Sequence, residues 1–227
     1  MIDTLSDMIK THPDKDLAIG GKASEWMSYK SLRDLSDEIG NSLHNMGLGR
    51  GDRVAIVLPN GPDMAAAFVT LAQWVITAPL NPTYKKDEFS FYISDLNAKA
   101  IVFLEGYDGP ALGAAKMLGT AIVWLRPTGK YAGSFSLHCD RKILGTPDTR
   151  APDSKDIALI LHTSGTTSHP KIVPLLQRNL TASANNIATS LALRPQDRGL
   201  NVMPLFHIHG LVASISASLY AGAQIFC

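Results

Sequence analysis

Short apolar strands alternate with helices through the first half of this sequence, and no other feature constrains its fold as strongly. Three runs have the length and composition of buried strands: Arg53–Leu58, Ala100–Leu104 and Ala121–Leu125. Helical periodicity is predicted from a cap at Asn60 to about Thr77, and over Lys86–Leu96 and Ala111–Leu118. The order β-α-β-α-β is typical of an α/β fold, with layered, largely parallel sheets flanked by helices.

The first 50 residues predict a short amphipathic helix, a hairpin and a long helix. Asp16–Gly20 and Glu25–Tyr29 form the predicted hairpin, with two glycines at its turn. Apolar residues then recur at helical spacing: Leu32, Leu35, Ile39, Leu43 and Met46. Ser28 or Ser31 is expected to cap the start of this helix, and Gly47 to end it.

Periodicity fades over residues 126–156, which we interpret as an irregular connector that can hide short strands. It suggests a subdivision of the chain into 1–125 and 157–227. Beyond it the sequence predicts alternating strands and helices: Ile157–Leu161, Lys171–Leu175, Leu200–Met203 and Ala223–Phe226 as strands, Arg178–Leu191 and His209–Tyr220 as helices. A buried strand needs neighbours on both sides. We therefore expect 1–227 to be one incomplete domain.

Charge and cysteine content exclude several classes of function. With 21 basic and 20 acidic residues, the chain has no bulk field for nucleic acid or an anionic membrane. Cys139 and Cys227 lack metal-ligand spacing and are interpreted as reduced thiols. The uncharged stretches Met64–Tyr84 and Gly199–Cys227 contain prolines and polar residues, which favours buried core over a membrane span. No secretory signal pattern begins the chain, so we expect a cytoplasmic protein.

The segment Thr163–Lys171 carries the clearest chemical signal. Six consecutive Ser, Thr or Gly residues follow the end of an apolar strand, where open α/β sheets bind ligands. Gly165 permits close backbone approach, hydroxyl and N–H groups can surround phosphate oxygens, and Lys171 supplies a cation. Pro170 and Ile172 exclude a Walker A loop. A phosphate-binding loop and a low-complexity polar surface loop both remain open.

A second candidate is the segment Pro204–Gly210, which contains His207 and His209. In an extended segment both rings would share one face, which is also a metal-ligand spacing. No carboxylate or cysteine lies nearby in the sequence, so we predict no metal site. Structural histidines and functional histidines remain alternatives. His162, directly before the loop, is interpreted as structural.

Together these two segments resemble known motifs. Thr163–Lys171 resembles the TSGTTGxPK signature of the acyl-adenylate-forming enzymes, which include the acyl-CoA synthetases. Pro204–Gly210 is similar to their next motif, and Gly47–Pro82 to their upstream pattern. TSGTTS with PLFHIHG looks most like oxalate–CoA ligases, and next like coumarate-type ligases. Ser168 and Ile172 depart from the usual glycines, and Ile172 removes a flexible position.

The resemblance implies the N-terminal part of the large domain of an ATP-dependent carboxylate–CoA ligase. A carboxylate would attack the α-phosphorus of Mg-ATP to give acyl-AMP, from which CoA displaces AMP. The expected cofactors are therefore ATP, Mg²⁺ and CoA. The resemblance assigns the β- and γ-phosphates to one set of residues: Thr163, Ser164, Gly165, Thr166, Thr167 and Lys171. His207 would lie near the carboxylate and α-phosphate, and His209 would line an acyl pocket for a small or polar acid.

Other motifs of that superfamily do not occur in these residues. They include the adenine-binding and ribose-binding residues and a C-terminal catalytic lysine. The isolated chain is therefore expected to lack full activity and to self-associate through exposed core. The alternatives are a non-catalytic ATP- or pyrophosphate-binding module and an inert truncation product. A peroxisomal address, if one existed, would lie at a later C-terminus.

Overall fold

The computed structural model describes residues 2–22, 24–163 and 170–227. Its α-helices are α1 (Leu5–Lys10), α2 (Tyr29–Met46), α3 (Pro62–Leu71), α4 (Lys86–Asp95), α5 (Pro110–Leu118), α6 (Gln177–Ser190) and α7 (Ala217–Tyr220). A π-helical segment, His209–Ser216, runs directly into α7. The strands are β1 (Leu17–Gly20), β2 (Met27–Ser28), β3 (Arg53–Val57), β4 (Ile76–Pro79), β5 (Ala100–Leu104), β6 (Ala121–Pro127), β7 (Phe135–Cys139), β8 (Ile157–Thr163), β9 (Lys171–Leu176), β10 (Arg198–Leu200) and β11 (Gln224–Phe226).

A seven-stranded sheet in the order β7-β6-β5-β3-β4-β8-β9 forms the centre of the molecule. The five inner strands pair in parallel, whereas β7 and β9 close the two edges as antiparallel strands. A smaller sheet has the order β10-β11-β1-β2. The predicted α/β class, with layered sheets flanked by helices, is confirmed.

The connector 126–156 contains β7, so a short strand does lie within it. β8 follows the connector and pairs with β4, which precedes it, through Thr77 and Leu159. Strands from both sides of the connector thus share one sheet. The subdivision into 1–125 and 157–227 stays a prediction.

Strand β3 shows why the central strands read as continuous apolar runs. Val54 and Ile56 belong to the hydrophobic cluster on one side of the sheet, and Ala55 and Val57 to the cluster on the other. A parallel sheet covered by helices on both faces has no solvent side, so both faces need apolar residues.

Helix α2 has the boundaries that its sequence predicts. The Ser28 side chain accepts a hydrogen bond from the Ser31 backbone N–H, and Gly47 ends the helix with a φ of 94°. That left-handed conformation favours glycine because it has no Cβ.

Two boundaries differ from the predictions. The helix expected to reach about Thr77 ends at Leu71, and Ile76–Pro79 forms β4. The strand expected at Leu200–Met203 lies earlier, at Arg198–Leu200. The first error falls in the uncharged stretch Met64–Tyr84, where helix and strand are hard to separate by periodicity. The second is a shift of a correctly predicted strand along the chain. Within the ranges described, no helix is long and apolar enough to cross a membrane.

Candidate functional site

The hairpin of β8 and β9 brings the two ends of the predicted phosphate loop together. Thr163 is opposite Lys171 in the antiparallel register, and His162 is opposite Ile172. Thr163 and Lys171 are both exposed. Pairing therefore fixes the backbone of Lys171 beside the point where the loop leaves β8, while its ammonium group can reach solvent.

The remaining residues assigned to the phosphates lie outside the described residues. They are Ser164, Gly165, Thr166 and Thr167. Their role stays a prediction, as does the choice between a phosphate loop and a polar surface loop. The described structure does show that Thr163 stands at the carboxyl end of a strand parallel to β4. This is the edge at which open α/β sheets bind ligands.

His162 has structural partners just below the loop. Its Nε2 lies 3.0 Å from Oδ2 of Asp95, and its side chain is only 6% exposed. The ring meets Tyr92 edge to face at 4.6 Å, and Tyr92 stacks on Tyr84 at 4.7 Å. Burial, and then the hydrogen bond with Tyr92, raise the pKa of the Tyr84 hydroxyl. This cluster anchors the end of β8 to α4.

The second predicted segment is a turn that enters the π-helical segment. The His207 backbone N–H donates to the Pro204 carbonyl at 3.3 Å, and the Leu211 N–H donates to the His207 carbonyl at 3.1 Å. His207 and His209 are both exposed, and the ring of His207 lies 4.4 Å from that of Phe206. The segment is not extended, so the condition under which both rings would share one face is not met.

A π-helical segment is the unexpected feature here. The sequence predicts a helix at His209–Tyr220, but its first eight residues, His209–Ser216, are π-helical. Such segments are rare and occur frequently at functional sites. Periodicity alone does not reveal them, because a π-helix differs from an α-helix by about one residue per turn.

Asn60 connects this turn to the end of β3. Its Oδ1 accepts a hydrogen bond from the Leu205 backbone N–H at 2.8 Å, and its Nδ2 donates to the Met203 carbonyl at 3.4 Å. The prediction that Asn60 caps α3 is wrong. Gly61 occupies the N-cap position, and no side chain caps this helix.

The two candidate segments lie at the same edge of the large sheet. Thr163 ends β8, and the turn is tied to the residues that follow β3; β4 separates these two strands. Two strand spacings amount to about 10 Å. Within the described ranges no hydrogen bond or ion pair joins Thr163 or Lys171 to His207 or His209.

Comparison with known proteins decides the family. The model of the family described as "AMP-binding enzyme" matches residues 5–227. The chain belongs to this family. The resemblance noted from its two motifs is therefore confirmed.

Curated relatives within the family include several CoA ligases. The chain is 36% identical over 233 residues to the oxalate–CoA ligase of Arabidopsis thaliana, a match that covers 98% of this chain and 45% of that protein. It is 38% identical over 214 residues to the oxalate–CoA ligase of Saccharomyces cerevisiae, covering 80% and 39% respectively. The chain thus spans less than half the length of these AMP-binding relatives.

Solved structures show the same fold. MatB from Rhodopseudomonas palustris superposes with a TM-score of 0.80 at 23% identity, over 100% of this chain and 45% of that one. An N-terminal domain of FACL13 from Mycobacterium tuberculosis gives 0.73 at 23% identity, over 99% and 57%. The chain therefore has the fold of the corresponding part of these two solved structures.

Proposed function

We propose that this chain is the N-terminal part of an ATP-dependent carboxylate–CoA ligase. One observation carries the proposal: strand pairing holds Lys171 across from Thr163 at the carboxyl edge of the sheet. Membership of the AMP-binding family supports ATP as the substrate that meets this edge.

The first step would join a carboxylate to adenylate. A carboxylate oxygen attacks the α-phosphorus of ATP, the bond to the β-phosphate oxygen breaks, and acyl-AMP and pyrophosphate form. In the second step the CoA sulfur attacks the acyl carbon, AMP leaves with the carboxylate oxygen, and the thiol proton is released. Both steps depend on positioning and on stabilising negative charge rather than on covalent help from the protein.

The chain's own residues would bind and position the substrate. We assign the β- and γ-phosphates to Thr163, the loop after it and the ammonium group of Lys171. A charge-assisted hydrogen bond from this lysine strengthens as charge grows on the departing pyrophosphate. The exposed ring of His207 is assigned to the reacting carboxylate and α-phosphate, and that of His209 to the acyl pocket.

Mg²⁺ would enter as part of the Mg-ATP substrate. Among the described residues, no group of three or more His, Cys, Asp or Glu side chains could hold a metal ion. We therefore assign no protein ligand to Mg²⁺. The cation supplies charge neutralisation on the phosphates when it is bound with ATP.

The acid that we propose is small and carries a second anionic group. Relatives named oxalate–CoA ligase and sulfoacetate–CoA ligase match this chain over 80% to 99% of its length. A histidine in the acyl pocket suits such a polar acid better than a long alkyl chain, because burying its polar ring beside hydrocarbon would cost free energy.

The test is product formation by the polypeptide expressed from the complete reading frame. With ATP, CoA and a small dicarboxylate, we expect AMP and acyl-CoA in equal amounts. Lys171→Ala should lower the rate by about 10²-fold or more, in the range found for removing one electrostatic donor. Lys155→Ala is the matched control, since Lys155 is an exposed lysine in the loop before β8.

Other outcomes would contradict the proposal. Binding of ATP or pyrophosphate that depends on Lys171, without AMP formation by any acid, would identify a non-catalytic nucleotide-binding module. The absence of both nucleotide binding and turnover would indicate an inert truncation product. For the 227-residue chain alone we expect no acyl-CoA, because more than half the length of its relatives lies outside it.

A further inference from the structure

We infer that Asn60 is a positioning residue that sets the location of His207. This inference rests on the proposed function, since it concerns the reaction at that site. Asn60 itself is not assigned any contact with substrate. It acts through the turn that carries the histidine.

The contacts of Asn60 are long-range and directed at one turn. Its amide oxygen and nitrogen meet the backbone of Leu205 and Met203, which are 145 and 143 residues further along the chain. The amide thus accepts from one backbone group and donates to another, so it fixes both the place and the direction of the turn. Its local alternative, capping α3, is not used.

The turn is held from several other directions. Asn201 Nδ2 donates to the same Met203 carbonyl at 3.0 Å. The Leu205 side chain is only 1% exposed and anchors the turn in the core. The carbonyl of Pro204 faces Gly210 so closely that a Cβ there would overlap it. The two Asn60 bonds, in turn, tie this segment to the residues that follow β3 at the carboxyl edge of the large sheet.

His207 follows Leu205 by two residues, inside the same hydrogen-bonded turn. Its own backbone N–H donates to the Pro204 carbonyl at 3.3 Å, so a hydrogen bond closes the turn between Pro204 and His207. A shift of the Leu205 amide is therefore passed to the His207 ring. Because catalysis depends on sub-ångström placement, such a shift affects the rate of the reaction more than substrate binding.

Asn60 is exposed, which separates this role from a purely structural one. Truncating an exposed side chain leaves no cavity in the core, so global stability should change little. Substitution should therefore leave the protein folded while the turn relaxes.

The experiment compares three variants of the polypeptide expressed from the complete reading frame. Asn60→Ala removes both bonds, and Asn60→Asp keeps the acceptor for the Leu205 N–H but loses the donor. Asn185→Ala is the control, since Asn185 is an exposed asparagine on α6 that bonds only to Thr189 within the described contacts. For each variant we would measure kcat and KM for acyl-CoA formation, the melting temperature, and hydrogen exchange of the peptide spanning 203–207.

We expect Asn60→Ala to lower kcat by about 10-fold to 100-fold, the scale of a misplacement of about 1 Å. KM for ATP should change by less than about threefold, since ground-state binding is retained. Exchange in the 203–207 peptide should rise, and Asn60→Asp should recover part of kcat. The control should match the wild type in every measurement.

Each failure has a distinct signature. If the wild type forms no acyl-CoA with any acid, the proposed function is wrong and the role of Asn60 falls with it. If the wild type is active and Asn60→Ala behaves like Asn185→Ala, only the positioning role is wrong. A parallel loss of melting temperature and kcat, with no recovery in Asn60→Asp, would also overturn it.

Discussion

Replacing Gly210 with alanine should destabilise this protein, whereas the same replacement at Gly113 should stabilise it. Both glycines lie in helical segments, Gly210 in the π-helical segment and Gly113 in α5. A Cβ on Gly210 would overlap the carbonyl oxygen of Pro204 and lie 3.1 Å from its carbonyl carbon. At Gly113 the nearest atom is Cε of Lys86 at 3.6 Å, which is ordinary contact with a flexible side chain.

The magnitudes follow from these two environments. Alanine in a helix gains about 0.5–1 kcal/mol over glycine. Overpacking against backbone costs about 1–3 kcal/mol, which outweighs that gain at Gly210. Since about 1 kcal/mol shifts the melting temperature of a domain of this size by about 2–4 °C, Gly210→Ala should lower it by a few degrees. Gly113→Ala should raise it by about 1–4 °C.

Thermal unfolding followed by circular dichroism at several scan rates provides the assay. Kinetics of the same variants, made in the polypeptide expressed from the complete reading frame, add a second readout, because the clash displaces the turn that carries His207. We expect activity to fall in Gly210→Ala and to stay constant in Gly113→Ala. A melting temperature of Gly210→Ala equal to or above the wild type would refute the packing that we describe around Pro204.

Two further predictions concern stability. Burial lowers the pKa of His44, against a smaller opposing effect of Asp148. The unfolded chain therefore binds the proton more tightly, so stability should fall as the pH drops below about 6.5, the usual pKa of an unfolded histidine. His44→Phe should reduce the difference in melting temperature between pH 8 and pH 5. An unchanged difference would contradict this assignment. The buried side chain of Gln177 accepts a hydrogen bond from the Leu5 N–H and donates one to the Ala72 carbonyl. Gln177→Leu should lower the free energy of unfolding, measured by chemical denaturation, by about 2–4 kcal/mol, since both backbone groups lose their partner. A loss under about 0.5 kcal/mol would show that water replaces the side chain.

The fold could be predicted well where local signals agree. Helix α2 has a capping serine, apolar residues at helical spacing and a terminal glycine, so Ser28 and Gly47 set its limits within a residue. Strand β3 and its parallel neighbours read clearly as buried strands. The end of α3 could not be predicted, because apolar residues continue from α3 into β4 and erase the boundary.

The candidate site was only partly accessible to sequence reasoning. The motif at Thr163–Lys171 indicates phosphate binding, and the sequence also predicts the strand that begins at Lys171. The register that sets Lys171 opposite Thr163 depends on pairing between strands. The role of Asn60 depends on a contact across 145 residues, and its local sequence favours the wrong interpretation, a helix cap.

Isotope transfer from the acid to the nucleotide tests the central claim most directly. The polypeptide expressed from the complete reading frame would be incubated with ATP, CoA and an acid labelled with ¹⁸O in its carboxylate, and the nucleotide product analysed by mass spectrometry. Attack on the α-phosphorus predicts AMP that carries one ¹⁸O per acyl-CoA formed. Formation of ADP, with the label in inorganic phosphate, would show attack on the γ-phosphorus and contradict the account.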